Sequence, residues 1–313
     1  MNKQNCRKVY GETLLELAKK DERIVALDAD LCKSTMTCFL EKELPERYFE
    51  MGIGEQNMVS TAVGLALSGK IAFVNSFAVF SAGRPYDQIR QSAYLGDLNI
   101  KIIGSSCGIS DFGDGATHQG IEDIALMRAV PNMTVLSPAD GIETRKMVKA
   151  AVEHEGPVYI RINRNEVPDV TEKSGEFEIG RPYVIREGKD VTVFATGYMV
   201  FKALKAAEQL EAEGISLRVV NASTLKPIDE EAVKKLVEGV KGIVTAEEHS
   251  IIGGLASAIT FILRGNGVPI EAVAIADCFG QSALDYEQLL AHYGLTDTAI
   301  IEAGRKVFEQ GKG

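Results

Sequence analysis

Two short segments of this 313-residue chain gather residue types that can do chemistry. The first, Met51-Gly-Ile-Gly-Glu-Gln-Asn-Met58, sets the carboxylate of Glu55 behind glycines at the mouth of a helix. With no side chains at Gly52 and Gly54, the backbone can approach a flat ligand closely and present the carboxyl to it. The plainer reading of Glu55 is a solvated carboxylate favoured by the positive end of the helix dipole. The second, Gly113-Asp-Gly-Ala-Thr-His-Gln-Gly120, is polar and Gly-rich, with Asp114 and His118 in one loop. An imidazole there suits proton transfer near neutral pH, or donation to a developing oxyanion. Its plainer reading is a hydrogen bond that stabilises the loop.

Rigid elements must bring such groups together. Ile24–Leu27, Ile71–Val74, Ile100–Ile103, Thr134–Leu136 and Val158–Ile160 read as buried strands. Gln56–Leu67, Tyr86–Leu95, Ile121–Val130 and Gly141–Val152 read as helices between them. Uninterrupted apolar strands alternating with helices predict a parallel sheet covered on both faces. The rhythm breaks over 163–190, where Asn, Pro, Gly and charges accumulate. It restarts with strands at Val191–Ala195, Leu217–Val220, Gly242–Ala246 and Ala272–Ile275, and helices near 200–213, 229–238, 254–264 and 298–309. The expected fold class is α/β, with two domains of mostly parallel sheet at 1–168 and 189–313 and a linker over 169–188. In such sheets ligands bind in loops beyond the strand ends, which is where loop 113–120 falls.

Several classes are excluded. No G-x-G-x-x-G follows the first strand, and there is no G-x-x-x-x-G-K-[ST] or G-x-S-x-G, so a dinucleotide fold, a P-loop and a nucleophile elbow all lack their signatures. Acidic residues outnumber basic ones 44 to 34, a formal charge of −10 that repels a nucleic-acid backbone. No run approaches the roughly 18 apolar residues of a membrane span, and the N-terminus lacks the apolar stretch of a signal peptide. Five cysteines without C-x-x-C spacing read as reduced thiols. The expectation is a soluble, acidic, cytoplasmic protein that binds neither nucleic acid nor membrane.

At G-I-G-E-Q-N-M, D-G-A-T-H-Q-G-I-E-D and Pro138-Ala-Asp-Gly141, in this order and spacing, the chain resembles the thiamine-diphosphate enzymes of the transketolase family. More narrowly, it is similar to the C-terminal half of a transketolase made as a separate subunit. The resemblance covers the whole length, as a pyrimidine-binding domain followed by the family's C-terminal domain. It implies that Glu55 hydrogen-bonds the far ring nitrogen of the cofactor's aminopyrimidine as a proton-sharing carboxyl, which makes the ring's amino group basic. Phe77 and Phe80, in Asn75-Ser-Phe-Ala-Val-Phe80, match the aromatic platform for that ring, with Phe80 as stacking partner. Ile53 matches the residue that supports the bent cofactor, and Asp30 joins the cofactor-binding set. A third aromatic has no clean match in Ser81-Ala-Gly-Arg-Pro-Tyr86, which leaves Tyr86 unassigned. By the same resemblance His118 is catalytic, beside the reactive carbon, and Asp114 reads a substrate hydroxyl. Arg7, Ser34 and Arg164 match positions that contact a sugar phosphate, a group that Arg binds in bidentate fashion. One departure stands out: Ser106 occupies the place of a family histidine that holds the acceptor or the phosphate.

The triplet Gly113-Asp114-Gly115 imitates the family's magnesium-diphosphate motif, but Asn132 follows it too soon, after a proline, so no metal site is assigned. The expected function is therefore that of a half-enzyme. With a separate N-terminal subunit supplying the Mg²⁺-diphosphate site in a heterotetramer, it moves a two-carbon ketol unit between sugar phosphates on thiamine diphosphate. The alternatives are the beta subunit of a 2-oxoacid dehydrogenase and a 1-deoxyxylulose-5-phosphate synthase-like enzyme. A silent scaffold is a further one, against which Glu55, His118 and Asp114 together argue. His154, His249 and His292 carry no catalytic expectation.

Overall fold

Apolar runs without polar alternation must be covered on both faces, and they become the inner strands of two sheets. The computed structural model describes residues 1–94, 98–172 and 175–312. The strands, in chain order, are β1 Lys3–Asn5, β2 Ile24–Asp28, β3 Tyr48–Glu50, β4 Ile71–Phe77, β5 Ile100–Ser105, β6 Thr134–Leu136 and β7 Val158–Ile162. They continue as β8 Glu166–Pro168, β9 Tyr183–Arg186, β10 Val191–Ala195, β11 Leu217–Asn221, β12 Thr224–Lys226, β13 Gly242–Ser250 and β14 Ile270–Ile275. The first sheet runs β12-β6-β7-β5-β4-β2-β3 and the second β14-β13-β10-β11-β9, while β1 and β8 form a separate pair. Strands β2, β4, β5, β6 and β7 are buried along their whole length, as their predominantly apolar sequences require, and they take Asp28, Asn75, Lys101 and Arg161 inside with them. Pairing is parallel except for β12 on β6, β9 on β11 and β1 on β8. The α/β class and its mostly parallel sheets are as the sequence predicts.

Helices fill the crossovers. Glu55–Leu67, Tyr86–Tyr94, Asp123–Ala129 and Gly141–Glu153 lie where periodicity puts them, within one or two residues; Leu95, the expected end of the second, lies outside the described residues. Asp140 caps Gly141–Glu153 by accepting from the Glu143 N–H at 2.9 Å. The periodicity reading passes over the helix Cys6–Ala18, capped by Asn5, which packs on Gly141–Glu153 through Cys6, Tyr10 and Leu14. It also passes over Tyr286–His292.

The stretch 169–188 is not featureless, because β9 lies within it and pairs antiparallel with β11. More consequential is β12, which follows the second sheet's β11 yet extends the first sheet by pairing with β6. The two halves are thus stitched through a shared sheet edge. Among the described residues no helix is long and apolar enough to cross a membrane.

Candidate active site

Parallel strands all deliver their carboxyl ends to one edge of a sheet, and ligands bind at that edge where the strand order reverses. Here β2 is flanked by β3 on one side and β4 on the other. Asp30 and Ser34 follow β2, Glu55 follows β3, Phe77 ends β4, Ser106 follows β5 and Arg164 follows β7. One topological fact therefore collects residues scattered from Asp30 to Arg164.

Glu55 is the first residue of its helix and only 3% exposed. Gly52, at φ +64°, turns the chain into it. The Glu55 carboxylate accepts from Arg84 Nη1 at 2.7 Å, and the Arg84 guanidinium lies over the Phe80 ring, 4.1 Å from its centroid. A cation thus shares the seat that the glycines leave open around Glu55. The Phe77 and Phe80 rings stack at 6.1 Å and 18°. His118 stands edge-on to both, 5.2 Å from Phe80 and 6.1 Å from Phe77, with Thr117 Oγ1 2.9 Å from its Nδ1. Glu55, Arg84, Phe80, Phe77 and His118 form one chain of contacts.

Loop 113–120 reaches this cluster because its last residue is glycine. A Cβ on Gly120 would come 2.8 Å from Val79 N and 3.0 Å from Ala78 Cβ, at the start of the helix that carries Phe80. The loop is also tied to the second domain: Gln119 Nε2 donates to the carbonyls of Asp111, at 3.0 Å, and of Gln281, at 2.9 Å.

A second, charged cluster adjoins the first through Arg164, whose guanidinium lies 5.8 Å from the Phe77 centroid. Arg164 Nη1 donates to Asp111 Oδ2 at 2.9 Å and to Ser106 Oγ at 3.4 Å. Arg7 donates from Nε to the Arg164 carbonyl at 3.2 Å and from Nη1 to the Ser34 carbonyl at 2.9 Å. Burial, helped by the neighbouring Arg164, lowers the Arg7 guanidinium to about 10, still cationic at neutral pH. Burial pushes the Asp111 carboxyl up; Arg164 opposes this and the adjacent Asp114 reinforces it. Ser106 sits at φ +51°, a left-handed backbone that few non-glycine residues adopt away from functional sites.

Two expected residues stand apart. Ile53 is 74% exposed, lining the same depression as Glu55 and Arg84 without packing into it. Asp30, at φ +60°, is exposed; its N–H donates to Glu50 Oε1 at 2.9 Å, and the same oxygen accepts from the Gly52 N–H at 2.8 Å. Tyr86 packs partly buried against the core. The stretch that lacks a third aromatic places Arg84, not Tyr86, at the site.

Supporting residues that the sequence reading passed over are Arg84, Asp111, Asp28 and Glu50. Asp28, pushed up to about 6 by burial, anchors the Ser34 turn by accepting from Thr35 Oγ1 at 2.6 Å, Thr37 Oγ1 at 2.8 Å and the Leu31 N–H at 2.7 Å. Its one sequence signal is an acid closing an otherwise apolar strand. His249 belongs to a structural motif: its neighbour Glu247 accepts from the Leu255 and Ala256 N–H groups at 2.6 and 2.8 Å, capping that helix. A Cβ on Gly254 would lie 2.0 Å from Glu247 Oε2, so the pair works only with glycine there.

Comparisons with known proteins bear on the two domains and on the chain as a whole. Residues 2–170 match the family model "Transketolase, pyrimidine binding domain" and 180–300 match "Transketolase, C-terminal domain". The chain is 44% identical over 313 residues to a "Putative transketolase C-terminal section" of Methanocaldococcus jannaschii, covering 99% of this chain and 97% of that protein. It is 42% identical over 306 residues to a "6-deoxy-6-sulfo-D-fructose transketolase subunit SqwH" of Clostridium sp., covering 97% and 94%. A solved structure described as "Split gene transketolase, inactive beta4 tetramer" superposes with a TM-score of 0.89 at 48% identity, covering 97% of this chain and 98% of that one. These matches do not favour the 2-oxoacid dehydrogenase or deoxyxylulose-phosphate synthase alternatives. With both domain models matched in order and full-length relatives above 40% identity, the chain belongs to the transketolase family and is similar throughout to its split-gene subunits.

Proposed function

We propose that this chain is the pyrimidine-binding half of a two-subunit, thiamine-diphosphate-dependent transketolase that moves a two-carbon ketol unit between phosphorylated sugars. The observation that carries the proposal is the pairing of the buried Glu55 carboxylate with the Phe80 face. The Arg84 guanidinium, planar and rich in donors, already bonds the carboxylate and covers the ring, so a flat heterocycle with a nitrogen toward Glu55 fits the same seat. When bound, the cofactor supplies a nucleophilic carbon and an electron sink for the ketol fragment.

The protein's own groups do the rest. Glu55 holds the far edge of the heterocycle, Phe80 and Phe77 orient its face, and His118 stands where it can give or take a proton near the substrate oxygens. Asp114 receives a substrate hydroxyl. Arg7 and Arg164, beside Ser34, take the phosphate, while Asp30 and Ile53 contact the cofactor from the rim. Residues 1–168 carry these groups, 169–188 link, and 189–313 brace the catalytic loop. The Mg²⁺-diphosphate end belongs to a separate N-terminal subunit. That reading is supported by full-length relatives described as a C-terminal section, a subunit and a split-gene product. The sugars stay open at one point, because Ser106 offers a hydroxyl where the family has an imidazole.

Calorimetry of the isolated chain with thiamine diphosphate and Mg²⁺ should show no tight binding, and adding the N-terminal subunit should restore binding and turnover. In that complex Glu55→Gln should cut ketol transfer by about 10²-fold or more while assembly persists. Near-normal turnover by this variant removes Glu55 from the mechanism.

A further inference from the structure

Among the described residues, Arg84 is the charged group seated on both halves of the candidate heterocycle site. Its guanidinium bonds the Glu55 carboxylate at 2.7 Å and lies 4.1 Å from the Phe80 centroid. An aminopyrimidine would use the same two places: a ring nitrogen sharing a proton with the carboxyl, and a flat face on the aromatic ring. The backbone beneath is pinned. The Arg84 N–H bonds the Phe80 carbonyl at 3.2 Å, and Gln56 Nε2 donates to the Arg84 carbonyl at 3.2 Å. The side chain is 46% exposed, against 4% for that of Glu55, so it can rotate into solvent without disturbing the core.

We propose that Arg84 is a placeholder: in the free subunit its guanidinium occupies the heterocycle's seat, and it must swing out before the cofactor ring can bind. A buried carboxylate beside a bare aromatic face would leave an unpaired charge in the uncomplexed chain. The guanidinium compensates both at once, and the bond it gives up sets a threshold that cofactor binding must exceed. The chain thereby keeps loose, partner-independent capture of the ring weak. This inference rests on the heterocycle reading of Glu55 and Phe80.

The test uses the full-length isolated chain with thiamine, which carries the ring but no diphosphate, and with methylguanidinium chloride. One exposed ion pair and one cation–π contact together are worth roughly tenfold in affinity. Arg84→Ala should therefore bind thiamine about tenfold more tightly than wild type, with Arg84→Lys between them. Methylguanidinium at millimolar concentration should compete with thiamine in Arg84→Ala, but not in wild type. In the wild-type chain the Arg84 Nε–H resonance should carry the ring-current shift of Phe80 and lose it on thiamine addition. Equal thiamine affinity in wild type and Arg84→Ala overturns the placeholder and leaves the heterocycle site standing. Absence of thiamine binding to Arg84→Ala, with methylguanidinium still bound, overturns both. Arg84→Ala should melt below wild type, because the buried Glu55 loses its partner, and methylguanidinium should raise that melt back toward wild type.

Discussion

Arg7 donates through Nε to the main-chain carbonyl of Arg164, which sets two cationic residues side by side next to Ser34. Arg164 is ion-paired with Asp111, and the cost of burying Arg7 shows in its lowered proton affinity. A phosphate bridging the two guanidiniums would satisfy both through charge-assisted bonds worth about 1.5–3 kcal/mol each. Arg164→Ala in the assembled enzyme should thus raise KM for a phosphorylated sugar by about 10- to 100-fold, with kcat within a few-fold of wild type. Steady-state kinetics with phosphorylated and unphosphorylated aldoses checks this, because the unphosphorylated acceptor should lose almost nothing. The residues of this charged group were legible by type, but their neighbour Asp111 was not. A lone acid in a Gly-Ile-Ser-Asp run carries no periodicity, and only folding places it under Arg164.

At the scale of elements, strand ends decide where chemistry sits, and close approaches decide whether it works. The apolar runs Ile24–Leu27 and Ile71–Val74 were readable because burial on both faces permits no polar alternation, and Ile100–Ile103 was readable despite the buried Lys101. Strands β9 and β12 were not: they are four and three residues long, and β9 is partly exposed, so neither leaves a pattern. The helix Cys6–Ala18 escaped for a related reason, since Arg7, Lys8, Glu12 and Glu16 dilute the stripe of Cys6, Tyr10 and Leu14. Gly120 shows how one atom matters here. Its added Cβ would meet Val79 N at 2.8 Å, a backbone atom that cannot yield cheaply. Gly120→Ala should therefore cost about 1–3 kcal/mol of stability and push His118 away from Phe80. Urea denaturation measures the first effect, and the His118 ring-proton shifts report the second.

For the molecule as a whole, a buried polar seam joins the halves. Arg161 bonds Asp123 at 2.8 Å and the Glu248 carbonyl at 2.7 Å, while Glu248 accepts from the Ile109 N–H at 2.8 Å and Tyr286 Oη at 2.6 Å. Across the same divide Asn221 donates to Glu143 at 2.9 Å. Burial pushes the carboxyls of Glu143, Glu247 and Glu248 from an ordinary 4.5 up to about 7. The folded chain then keeps these protons up to about 7, whereas the unfolded chain releases them near 4.5. Their contribution is fully present below 4.5 and is lost as pH rises to about 7. Glu247→Gln cannot ionise but keeps only one acceptor oxygen for the two N–H groups, so it should be less stable than wild type at low pH. It should then gain on wild type by up to about 1.4 kcal/mol per pH unit across that window. Urea midpoints of the two proteins between pH 5 and 8 provide the measurement.

The order of residue types along the chain was enough to establish an α/β fold, the two candidate loops and the family resemblance, because hydrophobic periodicity and short motifs are local properties. Tertiary structure decided what no local pattern records: that Arg84 shares the seat of Glu55, that Asp111 underlies Arg164, that β12 crosses to the first sheet, and that a seam of buried carboxyls joins the halves. Each depends on which distant atoms a fold brings within a few ångströms, and charge pairing and steric exclusion act only at that range.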